Sequence, residues 1–387
     1  MGQLAPISLA ERHGRVGRIQ GELRDRGLDG LLLTERANFE YLVGFDVGPL
    51  WSSFTRINAI VVPASGDPTL LLPSFIAEEA GHESGWPVTA YASLDRGAAE
   101  LVAGVLQGAG LATGRVGIER GRESRLGTTS DEIDRLRSRL PDASLEDGAE
   151  VMWAVRSVKS AGEIERLHIA CLANEAAFAA GFGRHRAGET EQNVAAEMFA
   201  AGTTAGTAAG AWVQPGWIGM TSGPGGYARF VSGPRHRRIE TGDMLWADIG
   251  FTADGYWSDY CRAAVVGGPT ARQIDRQRRI DEATSAGIEM LRPGTAVADV
   301  ARRMRDVSTR LGLAGLGFGR LGHGIGLTAT EPPSVVEHDP TILVADMVIT
   351  VEPAATEDDG LYCAEQIVVV GDPPRLLSTE PTGLRSV

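Results

Sequence analysis

Four acidic residues of this chain stand inside segments whose other residues are those of a buried β-strand. They are Asp248 in Met244–Gly250, Asp259 in Tyr256–Cys261, Glu352 in Val348–Pro353 and Glu365 in Tyr362–Val369. An ionised carboxylate in apolar surroundings is costly unless it is paired or bound to a metal. Any one of the four, taken singly, is most simply a salt bridge or a charge at a strand edge. Together they predict a cage of oxygen ligands, which suits a pair of Mn, Co or Zn ions.

A histidine is the natural fifth ligand of such a cage. The candidate is His323, which lies in the segment Gly-His-Gly-Ile-Gly-Leu at 322–327. The flanking glycines allow the backbone to approach closely, and an imidazole nitrogen is a good donor to a transition metal. A lone histidine in such a turn would be structural, but the four acids favour a ligand.

The apolar periods divide the chain into two parts. Helical and extended segments alternate up to about residue 150, which is typical of an α/β layer. After Val151–Gly162, two helices precede a strand-rich block at 243–267, and the helices Asp281–Leu291 and Ala296–Leu311 precede a second block at 346–370. This order predicts an α+β second part with antiparallel strands and a structural duplication, although no fixed-period sequence repeat is present.

Charge and cysteine content exclude several classes of protein. The 37 basic and 50 acidic residues give a net charge of −13, which argues against nucleic acid as a partner. The three cysteines, Cys171, Cys261 and Cys363, are far apart and form no CxxC pair, so neither a disulfide framework nor a thiolate zinc site is expected. No apolar stretch is long enough for a signal peptide or a membrane span. A soluble, cytoplasmic protein without a membrane partner is therefore predicted.

The candidate ligands also resemble a known family in their order and flanking residues. Asp248 is followed after eleven positions by Asp259, and then come His323, Glu352 and Glu365. This order is similar to that of the pita-bread metallohydrolases, which include aminopeptidase P, prolidase and methionine aminopeptidase. The strings GDMLWADIG, GYWSDYCR, GHGIGL and TVEP resemble the family's text around its ligands. Residues 37–45 and 156–164 resemble its N-terminal domain and the entry to its catalytic domain, so the resemblance covers nearly the whole chain.

The resemblance implies a fold and a reaction. An α/β creatinase/prolidase-like domain is expected at 1–154, and an α+β pita-bread catalytic domain, with duplicated helices over a curved antiparallel sheet, at 155–387. Two divalent metal ions are implied, manganese first, with cobalt, zinc or iron as alternatives, and a homodimer is expected. The reaction would be hydrolysis of a C–N bond by a hydroxide that bridges the metals.

The resemblance also assigns a role to each ligand. Asp259 and Glu365 would bridge the two ions, Asp248 would complete one of them, and His323 and Glu352 would complete the other. Glu352 and His323 are the implied catalytic residues, with Glu352 as the general base and acid.

The sequence departs from the family's peptidases around the ligands. Two histidines and an arginine of the family pattern are replaced by Val231, Thr330 and Cys363, while the glutamate after the second histidine is kept as Glu331. Such groups orient a peptide and stabilise its tetrahedral intermediate. An intact metal centre with an altered surrounding therefore predicts a small non-peptide amide, amidine or amine as the substrate.

Several alternatives stay open from the sequence. Trp212 and Trp217 either line the substrate pocket, where they would stack on a planar or cationic ligand, or pack between domains. A true Xaa-Pro peptidase acting on short peptides is the nearest variant of the hydrolase. A metal-dependent lyase similar to dimethylsulfoniopropionate lyase is the non-hydrolytic alternative. A non-enzymatic binding module is the third, and the five retained ligands argue against it.

Overall fold

The contacts of the chain divide it into two compact units. The computed structural model describes residues 4–44, 56–92, 97–229, 232–313 and 319–387. One unit consists of Pro6–Arg156, and the other of Ser157–Val387 together with the described residues before Pro6. Each unit has a buried apolar core of its own.

The N-terminal unit alternates helices and strands. Its elements in chain order are α1 Leu9–Asp25, β1 Gly30–Leu33, α2 Arg36–Val43, β2 Ala59–Pro63, β3 Thr69–Pro73, α3 Ser74–Ser84, β4 Val88–Tyr91, α4 Ala98–Gly108, β5 Arg115–Ile118, α5 Ser130–Arg139, β6 Ser144–Asp147 and α6 Ala149–Arg156. The strands form one sheet in the order β4-β3-β2-β1-β5-β6. β1 is antiparallel to β2 and parallel to β5, so the sheet is mixed. This is the α/β layer that the sequence predicts.

Local sequence explains where these elements begin. The Ser8 side chain accepts a hydrogen bond from the Glu11 amide and caps α1, and Thr129 caps α5 by bonding the Glu132 amide. The apolar run Leu31–Leu33 is fully buried at the centre of the sheet. From the sequence, the amphipathic segment 8–27 predicts a helix and the apolar run 31–33 predicts a short strand. Both elements are confirmed, with ends that shift by at most two residues.

The C-terminal unit carries helices followed by strands, twice. Its elements are α7 Ala161–Gly181, α8 Glu191–Ala208, β7 Val213–Ser222, β8 Met244–Ala253, β9 Tyr256–Trp257, β10 Tyr260–Val265, α9 Ala271–Ile288, α10 Val297–Arg310, β11 His323–Gly324, β12 Glu331–Ser334, β13 Val348–Val351, β14 Ala354–Glu357, β15 Gly360–Cys363, β16 Gln366–Val369, β17 Arg375–Leu376 and β18 Arg385–Ser386. One sheet has the order β18-β10-β8-β7 with β9 beside β8, and the other has the order β12-β11-β13-β16-β17. The predicted duplication of helices and antiparallel strands is present, with β18 added in parallel to β10.

Two helices differ in length from the prediction. The sequence predicts the second helix near 190–202, whereas α8 continues to Ala208 through a segment rich in Gly, Thr and Ala. The lack of a side chain at Gly202 lets this helix pack directly on Phe251 of β8. α9 begins at Ala271 rather than near Asp281, because Thr270 and Gln273 form a capping box. None of the described helices combines the length and the apolar character that a membrane span requires.

Candidate metal centre

The predicted ligands lie in the C-terminal unit, at or beside the strands of its two sheets. Asp248 lies within β8, whereas Asp259 immediately precedes β10, Glu352 follows β13, and Glu365 occupies the junction of β15 and β16. The prediction of an unbroken strand through each acid is therefore wrong for three of the four. A residue outside the ladder is free of the strict alternation of a strand, which lets these carboxylates turn toward Asp248.

The first pair of acids is set by the register of β8 and β10. Cys261 is paired with Asp248 across the two strands, so their side chains share one face of the sheet. Asp259 precedes Cys261 by two residues, just before β10 begins, and it lines the same cavity as Asp248. The two carboxyl groups lie close enough that each affects the pKa of the other.

The second pair is set by β13 and β16. Val351 is paired with Gln366, so the residues next to them, Glu352 and Glu365, lie at the same end of the antiparallel pair. The buried Arg262 donates a hydrogen bond of 2.8 Å to the backbone oxygen of Glu365. This bond ties the junction that carries Glu365 to β10, and with it to the first pair of acids.

His323 is held by a close backbone approach to β13. Its amide donates to Thr350 Oγ1 at 3.0 Å. The preceding Gly322 has a φ of 152°, and a β-carbon there would overlap the Thr350 carbonyl oxygen. The expectation that a flanking glycine allows this approach is confirmed, and it explains why the ligand stands in a glycine-rich turn.

The imidazole of His323 presents a lone pair to the acids. Its Nδ1 lies 2.9 Å from the Gly324 carbonyl oxygen, which assigns the proton to Nδ1. Its Nε2 lies 3.5 Å from both Asp259 Oδ2 and Glu352 Oε1. Burial lowers the His323 pKa to about 3, so the ring is neutral near pH 7. Three acceptors therefore face one another, an arrangement that calls for a cation between them.

The carboxylates resist joint ionisation. Burial raises the pKa of Asp248 to about 6 and that of Glu352 to about 8. Burial, and then the charges of the neighbouring acids, raises the pKa of both Asp259 and Glu365 well above their usual values. Acids that repel one another this strongly gain most from a shared positive charge.

The donor set fits a divalent metal. One ligand atom each from Asp259, His323 and Glu365 lies within 4.8 Å of the others, and atoms bound to one ion at about 2.0–2.3 Å are at most about 4.6 Å apart. Within the described part of the chain, the buried oxygens Asp248 Oδ1 and Glu365 Oε1 have no hydrogen-bond partner. Buried carboxylate oxygens without a hydrogen-bond partner, next to a neutral imidazole, are the donors that a transition-metal ion binds.

The ligands open onto a cavity of about 200 Å³. Three residues predicted to bind substrate, Trp217, Thr330 and Cys363, line it together with all five predicted ligands. Trp217 packs against Trp257 with ring centroids 5.4 Å apart, which fixes the indole beside the acids. These side chains form one side of the cavity, where they can contact a small substrate.

Three other predicted substrate residues have different positions. Trp212 is 67% exposed and does not line the cavity. Val231 lies outside the described residues. Glu331 is buried and does not line the cavity either, because its carboxylate is paired with the equally buried ammonium of Lys159 at 3.3 Å. The retained glutamate therefore supports the turn after His323 rather than touching the space above the metal ligands.

We expect that breaking the Lys159–Glu331 ion pair destabilises the folded protein. Lys159→Met would leave the Glu331 carboxylate buried without its cation, and we expect a loss of about 3–5 kcal/mol in the free energy of unfolding. The double variant Lys159→Met/Glu331→Gln should recover part of this loss, because both charges are then gone. Denaturant unfolding of the single and double variants measures the coupling; additive effects would mean that the two groups do not interact.

Arg320 is the cavity residue that sequence reasoning missed. It is the only lysine or arginine among the described residues that line the cavity. Its Nη2 donates to Thr330 Oγ1 at 3.1 Å, and its Nε lies 3.9 Å from Glu352 Oε1. Its position three residues before His323 was the only available signal, because nothing in the sequence brings it near Thr330.

Comparisons with known proteins identify the family of the chain. The C-terminal unit matches metallopeptidase family M24 over residues 165–372, and the N-terminal unit matches the creatinase/prolidase N-terminal domain over residues 15–158. The chain is 31% identical over 343 residues to the "Probable dipeptidase PepE" of Mycobacterium tuberculosis, covering 85% of this chain and 84% of the relative. It is 26% identical to the Xaa-Pro dipeptidase of Lactobacillus helveticus, covering 87% of this chain and 89% of that one.

Solved structures agree as well. Dipeptidase PepE from Mycobacterium ulcerans superposes with a TM-score of 0.85 at 27% identity, covering 99% of this chain and 100% of that one. The Xaa-Pro dipeptidase of Bacillus anthracis shares the fold, with a TM-score of 0.82 at 22% identity and coverage of 97% and 100%. The predicted relation to the pita-bread metallohydrolases, the two-part fold and the assignment as a metallohydrolase are thus confirmed. The chain belongs to metallopeptidase family M24, whose members use divalent metal ions, and it carries the N-terminal domain of creatinases and prolidases.

Proposed function

We propose that this protein is a metal-dependent dipeptidase that hydrolyses the peptide bond of substrates with a free carboxylate. The observation that carries this proposal is the composition of one cavity. Four carboxylates and a neutral imidazole converge there, and a single arginine, Arg320, lies beside them among the described lining residues.

The five predicted ligands would hold two divalent cations. Asp259 and Glu365 would be shared between them, Asp248 would complete one, and His323 and Glu352 would complete the other. The short distances among Asp259, His323, Glu352 and Glu365 support the second of these two ligand groups. Cations bound there would polarise the scissile carbonyl group and acidify a water molecule. Manganese as the metal, a homodimer and a cytoplasmic location stay predictions.

Glu352 would carry the proton during hydrolysis. Its carboxylate lies next to His323 and lines the cavity. From that position it would accept a proton from the attacking water and return it to the leaving amine nitrogen. His323 has a pKa lowered to about 3, so it would remain a neutral ligand and not a proton carrier.

Arg320 would hold the far end of the substrate. A guanidinium binds a carboxylate through two parallel hydrogen bonds, which fixes both distance and orientation. The Arg320 side chain is 29% exposed, so it can reach a ligand in the cavity. A peptide with its carboxylate on Arg320 and its scissile bond at the acids must be short, because both groups line one cavity of about 200 Å³.

The relatives favour a peptide over the other substrates considered from the sequence. The proteins compared above are named dipeptidases or Xaa-Pro dipeptidases. The substitutions at Thr330 and Cys363 suggested a small non-peptide amide, amidine or amine, and a lyase was the alternative. Arg320 lies against Thr330 and brings a cation to the part of the cavity where the family pattern has other polar groups. A changed residue set can therefore still hold a peptide.

A substrate panel tests the proposal. We expect the protein, loaded with Mn²⁺ after chelation, to cleave dipeptides with a free carboxylate, and to lose this activity on renewed chelation. The panel should contain dipeptides with and without a second-position proline, their amides, a tripeptide, and small non-peptide amides. Amine release measured by mass spectrometry reports cleavage of each compound.

Each outcome of the panel has a clear meaning. Cleavage confined to dipeptides with proline would narrow the proposal to an Xaa-Pro dipeptidase. Turnover of the non-peptide amides alone would contradict the dipeptidase proposal. It would instead support the non-peptide substrates predicted from the substitutions at Thr330 and Cys363. A product that contains no oxygen from ¹⁸O-labelled water would exclude hydrolysis and favour a lyase.

A further inference from the structure

Two cysteines that are 102 positions apart in the sequence meet at the candidate metal centre. Cys261 lies two residues after Asp259 and shares a sheet face with Asp248 through the β8–β10 register. Cys363 lies two residues before Glu365, at the end of β15. Each thiol therefore stands two residues from one of the two acids proposed to be shared by the cations. The sequence contains no CxxC pattern that would predict this arrangement, because each cysteine comes from a different strand.

The two thiols and one carboxylate form a compact group. Ligand atoms of Cys261, Cys363 and Glu365 all lie within 4.8 Å of one another. Both cysteines are buried, at 1% and 4% exposure, and both line the cavity. The carboxylate oxygen Glu365 Oε1 is buried without a hydrogen-bond partner in the described part of the chain. Burying a carboxylate oxygen without a partner is costly, and a cation bound between this oxygen and the two thiols would offset that cost.

The backbone around these side chains is held firmly. Arg262 Nη1 donates to the carbonyl oxygens of Cys261 at 2.7 Å and of Glu365 at 2.8 Å, so one buried guanidinium fixes both. Gln277 Nε2 donates to the Cys363 carbonyl oxygen at 3.1 Å. The three candidate donors are therefore positioned before any ligand arrives, which favours metal binding over a loosely packed pair of core thiols.

We infer that Cys261, Cys363 and Glu365 form a subsite for a thiophilic divalent cation such as Zn²⁺ at the edge of the proposed metal centre. Sulfur donors select softer cations than carboxylates do. Glu365 belongs both to this group and to the group with Asp259 and His323, so it would link a sulfur-rich side to an oxygen- and nitrogen-rich side. Each sulfur binds as a thiolate, and its proton passes to solvent.

Cobalt provides the test, because Co²⁺ binds oxygen, nitrogen and sulfur donors and gives a near-ultraviolet charge-transfer band only with thiolates. We expect this band when Co²⁺ is added to the metal-free protein. It should persist in Cys171→Ala, whose cysteine is buried in α7 and belongs to neither group of candidate ligands. It should disappear in Cys261→Ser/Cys363→Ser, with elemental analysis reporting how much Co²⁺ each protein retains.

A competition experiment adds a second readout. The double serine variant should lose at least about tenfold in Zn²⁺ affinity, because two sulfur donors are gone, while its Mn²⁺ affinity changes by less than about threefold. A chromophoric chelator measures both affinities. Unchanged Zn²⁺ affinity in a folded double variant would overturn the inference, and a thermal melt in chelator checks that the variant is folded.

This subsite rests on the proposed metal centre, but the two can fail separately. Stoichiometric Co²⁺ binding without a charge-transfer band would remove the thiols from the ligand set and leave the proposed dipeptidase intact. A protein that binds no Co²⁺ at all would overturn both. A band that survives in the double serine variant would assign the sulfur donor to Cys171 and overturn the subsite alone.

Discussion

Asp259→Asn is expected to remove hydrolysis and metal binding together. Asp259 Oδ2 lies 3.5 Å from His323 Nε2, and a ligand atom of Asp259 lies within 4.8 Å of Glu365. Asparagine keeps the shape but removes the negative charge that two cations would share. We expect kcat/KM to fall at least about a thousandfold, since metal polarisation contributes several kcal/mol to the barrier. Dipeptide turnover and elemental analysis of the same samples measure the two losses.

The same substitution should have the opposite effect on the metal-free protein. Burial and the charges of Asp248 and Glu352 raise the Asp259 pKa well above its usual value, so this carboxylate destabilises the fold when no cation is present. The Tm of Asp259→Asn in chelator should therefore exceed that of the unmodified protein. With metal added, the order should reverse, because a ligand that binds only the folded state stabilises it.

Asp254→Asn is a suitable control for the predicted losses of metal and turnover. Asp254 lies in the turn after β8, where its φ is 46° and its Oδ1 accepts a hydrogen bond from the Trp212 amide. Asparagine tolerates this backbone conformation, and the residue does not line the cavity. The control should keep its metal and its turnover. If Asp259→Asn also kept two metals and full turnover, the ligand assignment would be wrong.

The sequence was informative where the chemistry is unusual. A carboxylate in an apolar segment is costly, so Asp248 and its three counterparts, taken together, indicate a cage of ligands, and the glycines around His323 indicate a close backbone approach. The resemblance then supplied the order of ligands and the two-part fold. These features depend on neighbours in the sequence, which is why they could be identified before the structure.

What the sequence did not reveal depends on contacts between distant segments. The breaks in the strands at Asp259, Glu352 and Glu365 are set by the turns that bring the acids together, and no apolar period records them. Glu331 resembled a site residue because it stands next to Thr330, yet it is paired with Lys159 across 172 positions. In both cases the partner comes from another element.

The cysteines illustrate the same limit. Spacing rules for thiolate metal sites rely on pairs that are close in sequence, so the sequence does not connect Cys261 with Cys363. The fold brings β10 into contact with β15, and Arg262 joins the backbone of β10 to the junction that follows β15; no spacing rule describes this.

Arg320→Ala is expected to weaken dipeptide hydrolysis by about 10- to 100-fold in kcat/KM, because hydrogen bonds to a charged group are worth about 1.5–3 kcal/mol. Arg320 is the only lysine or arginine among the described residues that line the cavity, so no other such side chain there can take its place. The loss should appear chiefly in KM, since a carboxylate held far from the scissile bond is held equally in the ground and transition states.

The decisive comparison uses dipeptide amides, which lack the carboxylate. If Arg320 binds the substrate carboxylate, the unmodified enzyme should prefer the free acid, and Arg320→Ala should cut the free acid and the amide at similar rates. Arg305→Ala removes a surface arginine paired with Glu337 and should leave both rates unchanged. An equal loss for acid and amide in Arg320→Ala would contradict carboxylate binding. It would assign Arg320 instead to the proton chemistry of Glu352, whose Oε1 lies 3.9 Å from the Arg320 Nε and whose pKa that guanidinium lowers against the effect of burial.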